Sequence, residues 1–205
     1  MTREEMLADL AYARTLAEEG RHAPLLGGAH LMFWGALNSA AFIAHWAVLT
    51  GVIAVGPSGY AYVWGAYGVV AFIGMALLRM RTRTKPGLTT IGARAEQAIW
   101  TGVGAALIAI VLGSIGRLIV AQEPTAPNAI FGAAFGLYGA ALIAVSALAA
   151  QKWMRFFGFV SVGVAGALCL FANEPFAYLI AAGGSVLVLI APGVVLLKNE
   201  PSAIV

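Results

Sequence analysis

The chain has 205 residues, 61% of them hydrophobic and only 10% charged, with a mean hydropathy of +0.88. A soluble domain averages about 45–50% apolar and about 25% charged residues, and a body of this size could not hide so much apolar surface from water; composition excludes a soluble globular domain, a disordered chain, a coiled coil and a disulfide scaffold. The net charge of +3 and the pI near 9.2 do not point to nucleic acid, because the positive residues sit at the ends of apolar runs instead of covering a foldable soluble face.

The first 25 residues read as a short cytoplasmic amphipathic helix. Thr2-Arg-Glu-Glu5 has the spacing of a capping box, which starts a helix at Thr2. Met6, Leu7, Leu10, Ala13 and Ala17 then recur at helical spacing, and Gly20 can end the helix. Glu4, Glu5, Asp9, Glu18 and Glu19 outnumber Arg3 and Arg14, so the segment is net negative and an anionic membrane surface is expected to repel it. Its apolar stripe is therefore expected to dock on the protein's own cytoplasmic face or on a protein partner that binds residues 2–19. The acidic start also lacks the basic leader of a cleavable signal peptide, so the first span is expected to act as an uncleaved anchor.

Residues 26–198 read as a membrane domain. A spanning helix needs about 20 apolar residues, and the charged residues divide the chain into runs of that length. No Asp, Glu, Lys or Arg lies between Arg21 and Arg79, a stretch long enough for two spans with a turn at Gly56-Pro-Ser-Gly59. Further charge-free runs lie between Glu96 and Arg117, Glu123 and Lys152, Arg155 and Glu174, and Glu174 and Lys198. The fold expected is an all-α integral membrane protein, a bundle of six transmembrane helices over 28–50, 59–79, 97–119, 128–150, 154–172 and 176–197, followed by a cytoplasmic tail at 199–205. The alternating ten-residue segments of a membrane barrel are absent.

Orientation follows from the placement of Lys and Arg. With the N-terminus in the cytoplasm, Arg3, Arg14, Arg21, Arg79, Arg81, Arg83, Lys85, Arg94, Lys152, Arg155 and Lys198 all fall inside, and Arg117 alone falls outside. This predicts an inner (plasma) membrane protein with both termini cytoplasmic and short outer loops. The basic loop carrying Arg79, Arg81, Arg83 and Lys85 is expected to meet the anionic lipids of the cytoplasmic leaflet. Arg117 is expected to snorkel to the outer headgroups or to pair with Glu123.

Small residues let helices approach closely in lipid. On the third span Gly102, Ala106, Ala109, Gly113 and Gly116 share a narrow arc, and on the fourth Gly132, Gly136, Gly139, Ser146 and Ala150 do the same. These matched stripes predict that the third and fourth spans form the packed centre. The fifth span carries a shorter stripe of Gly158, Ala165 and Cys169. Pro192 is expected to disturb the sixth span near its inner end.

One polar constellation lies within a span. His30, Trp34, Asn38 and His45 share a face of the first helix, and Asn38 falls near the bilayer midplane, where a polar side chain must find a partner. The stripe lines a polar cavity on one reading; on the other it supplies an interhelical hydrogen bond from Asn38 and two interfacial histidines. His30 and His45 lie about 22 Å apart along the helix, too far to share a metal, and the remaining histidine, His22, precedes the same helix. With one cysteine, Cys169, neither a metal site nor a cofactor is expected. No carboxylate lies deep in a span, unlike most proton-coupled pumps. Catalytic spacing is lacking as well. The expectation is a non-catalytic regulatory or accessory protein that acts through a partner. The alternative is a small-solute transporter or channel with a polar path along the first helix. A wet pocket at His30, Asn38 and Arg117 would favour the second reading, and a tightly packed bundle the first.

Overall fold

Backbone amides that have no water to bond must bond one another, and an α-helix does so within a single segment. The computed structural model describes residues 2–21, 25–56, 58–83, 85, 88 and 90–199, and every regular element among them is helical. His22, Pro57, Thr84 and the expected tail beyond Asn199 lie outside the described residues. Helix α1 runs over Arg3–Arg21. Its start is the capping box read from the sequence: the Thr2 N–H donates to Glu5 Oε2 at 2.7 Å and the Glu5 N–H donates to Thr2 Oγ1 at 3.3 Å.

Six further helical stretches are long and apolar enough to cross a membrane. They are α2 (Gly28–Leu49), α3 (Ser58–Thr82), α4 (Ile91–Val120), α5 (Ala129–Leu148), α6 (Lys152–Leu170) and a last stretch wound in three parts. Those parts are α7 (Ala177–Ser185), a π turn (Val186–Ile190) and α8 (Ala191–Lys198). Pro192 explains the π turn. In a regular helix its ring would press on the carbonyl of Val188, four residues back. The wider winding moves that carbonyl aside, and the Ala191 N–H bonds instead to Val186 O, five residues back. Helix α4 starts at Ile91, well before position 97, because the Thr90 side chain accepts from the Ala93 N–H at 3.3 Å and caps it. Helix α3 continues to Thr82, which carries Arg79 and Arg81 into its last turn, where cations complement the helix dipole.

In packing order the helices form an arc: α3 on α2, α2 on α7–α8, α7 on α6, α6 on α5 and α5 on α4. The largest fully buried side chains are Phe135 and Leu142 of α5, Met154 and Leu168 of α6, and Leu189 of the π turn. Helices α3 and α4 stand at the ends of the arc and are covered on one face only.

This arrangement corrects the expected packing of the small-residue stripes. The closest helix pair is α5 with α6, the fourth and fifth spans. A Cβ added at Gly132 would meet Cys169 Sγ at 2.6 Å, and one at Gly139 would meet the Gly158 carbonyl oxygen at 2.8 Å. A Cβ added at Gly136 would lie 4.0 Å from the Ala165 methyl. The short stripe of Gly158, Ala165 and Cys169 is thus the partner of the Gly132-Gly136-Gly139 stripe. On α4, by contrast, a Cβ at Gly102, Gly113 or Gly116 would meet nothing within 4 Å. Helical periodicity places small residues on one face; it does not say which neighbour that face meets. The α6 stripe is the shorter, but it matches in depth, and Ser161 strengthens the pair by donating to the Phe135 carbonyl at 2.6 Å. A second close approach joins α2 to α8, where a Cβ at Gly28 would lie 2.7 Å from the Leu197 nitrogen and one at Gly193 would lie 3.0 Å from the Gly28 oxygen.

Candidate functional site

The polar groups of the bundle collect where α2, α3, α5 and α7 face one another. Helices α2 and α5 are bridged there by aromatic side chains: Phe42 of α2 meets Phe131 of α5 edge-on at 5.0 Å, and Trp64 of α3 lies 6.1 Å from Phe42. Edge-on ring pairs of this kind contribute about 0.5–1.5 kcal/mol each.

Asn38 is buried at the middle of α2. Its Oδ1 accepts from the Tyr67 hydroxyl of α3 at 2.8 Å, and its Nδ2 donates to the Tyr138 hydroxyl of α5 at 3.5 Å. One amide therefore ties three helices together, and both of its ends are satisfied. Trp34, one turn earlier on α2, lies against the Tyr67 ring at 6.3 Å. Ser39, beside Asn38, donates to the Ala182 carbonyl of α7 at 2.9 Å.

His45 sits two turns nearer the end of the bundle that carries the short loops. Its Nδ1 accepts from Trp64 Nε1 at 2.9 Å, which leaves the proton of a neutral imidazole on Nε2. Its ring stacks on Tyr178 at 4.1 Å and leans on Tyr60 at 4.7 Å. The Tyr178 hydroxyl donates to Asn128 Oδ1 at 2.9 Å, and Asn128 Nδ2 donates to Asn173 Oδ1 at 3.2 Å, so this second network reaches the loops at that end.

The residues singled out in the sequence thus separate. Trp34, Asn38 and His45 lie on the face of α2 that meets α3, and Asn38 also reaches α5. His30 stands in the first turn of α2, at the opposite, basic end. Arg117 lies at the end of α4 and forms an exposed ion pair with Glu123, one of the two arrangements expected for it. Arg79, Arg81 and Arg83 are exposed at the end of α3, with Lys85 half-buried just beyond. The described residues include no group of three or more His, Cys, Asp or Glu side chains able to hold a metal.

Sequence reasoning missed Tyr67, Tyr138, Trp64, Tyr178 and Asn128. A signal was there: Asn38 needs polar partners at its own depth, and among the apolar spans Tyr67 and Tyr138 are the tyrosines that lie away from their helix ends. It missed Glu96 as well. Taken in the sequence only as the charge that bounds the third apolar run, Glu96 is buried within the first two turns of α4 and accepts from the Leu26 N–H at 3.0 Å. That contact and the burial of Leu25 and Leu26 fix the chain just before it enters α2.

Chemically, the two networks hold helices at set distances and depths. Among the described residues, the hydrogen bonds of these networks are made by Asn, Tyr, Trp and His side chains. Compared with known protein families, curated proteins and solved structures, the chain matches no family model and is similar to no curated protein and no solved structure.

Proposed function

We propose that this is a multi-pass inner-membrane protein, with both termini in the cytoplasm, that performs no catalysis and acts through a protein partner within the plane of the membrane. The six long apolar helices and the one-sided placement of Lys and Arg support the topology. In that orientation Arg79, Arg81, Arg83 and Lys85 meet the anionic headgroups of the inner leaflet.

The observation that carries the partner is the uncovered face of α4. Gly102, Gly113 and Gly116 lie in open space, on a helix whose other face is closed by α5. Apolar side chains do not drive association in lipid; close backbone approach over small residues does. A transmembrane helix of a partner fits that face. The engagement of Asn38, His45 and Arg117 with protein neighbours supports the same reading over a solute path, which would need those groups turned toward a wet lumen.

The test is purification in mild detergent of the wild type, Gly113→Leu and Gly139→Leu, with co-purifying proteins identified. Gly113→Leu should keep wild-type thermal stability and lose a specific membrane partner. Gly139→Leu should lose stability itself. A Gly113→Leu protein that retains every partner removes the basis of this reading. Solute flux in proteoliposomes that depends on Asn38 would establish the transport alternative.

A further inference from the structure

Helix α1 leaves the large apolar side chains of its first half uncovered. Met6, Leu7 and Leu10 are 47%, 58% and 66% exposed, although the sequence leads one to expect that the bundle covers them. Main contact with the bundle is made against α4. Which surface covers this face is decided by where the charges stand around the helix.

Taking about 100° per residue, Met6, Leu10 and Leu7 span an arc of about 100°. Arg3 and Arg14 fall inside that arc, about 20° and about 40° from Leu10. Asp9 and Glu5 fall outside it, about 100° and about 140° away on the other side. Arg3, Arg14, Glu5 and Asp9 are all exposed. The segment is net negative by count, but its cations stand with its leucines; Glu5, Asp9 and Glu19 stand well apart, Glu4 lies about 60° beyond Leu7, and of the acids only Glu18, one turn past Arg14, borders the arc. Net charge is thus the wrong measure for a helix lying on a surface, because charges beyond a Debye length of about 8–10 Å are screened while those at the contact are not. Arginine suits such a face: its stem lies along apolar surface while the guanidinium reaches sideways to phosphate.

The tether agrees. Leu25 and Leu26 are buried, and the Leu26 N–H is held by Glu96 at the basic end of the bundle. Arg21 is the last residue of α1 and Gly28 the first of α2, so the helix lies within roughly 25 Å of the start of the first span. In the proposed topology that end lies at the anionic leaflet.

We infer that α1 lies on the anionic cytoplasmic surface of the bilayer, with Leu7 and Leu10 inserted, Arg3 and Arg14 on lipid phosphates, and Glu5 and Asp9 toward water. This rests on the orientation proposed above, which reporter fusions to the spans test independently of α1. The experiment uses the full chain with Cys169→Ala and single cysteines at Leu7, Ala8, Leu10 or Tyr12, labelled with a polarity-sensitive fluorophore. Ala8 and Tyr12 lie about 160° from Leu10. The protein is reconstituted into phosphatidylcholine alone or with phosphatidylglycerol. Labels at positions 7 and 10 should shift to the blue with phosphatidylglycerol, and labels at 8 and 12 should stay in water. Adding Arg3→Gln and Arg14→Gln should abolish the shift, and the Lys pair should restore it. Equal emission at 10 and 12 would mean that α1 does not dock. The same shift in pure phosphatidylcholine would remove the charge argument. A blue shift at 7 and 10 that nitroxide-labelled lipid fails to quench would assign the face to the bundle or a bound protein, and would overturn the proposal.

Discussion

Asn38 engages both ends of its amide with phenols from two other helices, which makes it the residue whose loss the bundle should feel most widely. Interhelical hydrogen bonds in membranes average about 0.6 kcal/mol and reach about 1.7. Asn38→Leu should therefore cost about 1–2 kcal/mol in reversible unfolding from mixed micelles. Tyr67→Phe should cost more than Tyr138→Phe, because the first bond is short and the second is at its limit at 3.5 Å. An Asn38→Leu protein as stable as the wild type would show that the network carries no net energy. Asn38 itself stood out in the sequence, since a lone amide in a charge-free run marks itself. Its partners did not, because tyrosines also populate helix ends as interfacial anchors, and a single sequence does not say which tyrosine has which task. Glu96 was hidden for a related reason: without the Thr90 cap, the start of the charge-free run looks like the start of the helix.

Among whole elements, α5 and α6 form the tightest pair, and the reason is steric. The Gly139 position opposes the backbone oxygen of Gly158, and the Gly158 position opposes Gly139 in return. Backbone cannot swing away as a side-chain tip can. Gly139→Leu and Gly158→Leu should each cost about 3 kcal/mol or more, measured as a lowered Tm in detergent. Gly102→Leu and Gly116→Leu should leave stability within about 0.5 kcal/mol of wild type, because their side chains enter open space. Similar losses at all four positions would contradict the packing described. The helices themselves were readable from the spacing of charges, and so was the presence of small-residue faces. The pairing of those faces was not, since the α4 and α5 stripes are the longer ones while the α5 and α6 stripes are the ones that touch.

Over the whole molecule, the arc from α3 round to α4 leaves α2 and α5 without close backbone approach, and the aromatic and polar layer fills the space between them. Large rings keep α2 and α5 apart, and small residues draw α5 to α6 and α2 to α8. The topology proposed for this arc predicts that reporters fused after Thr50, Gln122 and Asn173 read as outside, and that those after Lys85 and Gln151 read as inside. One reproducible inversion would require the spans to be redrawn. The proposed orientation rests on the summed charge at each loop and not on any single contact, which is why reporters and not side-chain geometry test it.

The π turn at Val186–Ile190 sets the phase of everything beyond it. Five-residue bonding absorbs one residue without advancing the helix face, so Gly193 meets Gly28 as though the chain between Ser185 and Ala191 were one residue shorter. Rewinding the segment to α without shortening it would swing Gly193 by about 100° and bring a bulkier neighbour toward α2. Removing the exposed Leu187 would instead restore a regular helix and leave both of its faces where they are, but Pro192 would then press on a carbonyl, at about 3 kcal/mol. Deletion of Leu187 combined with Pro192→Ala should therefore recover the stability that the deletion alone loses. The single proline and the one supernumerary residue are halves of one compensated insertion, and neither is expected to be neutral without the other.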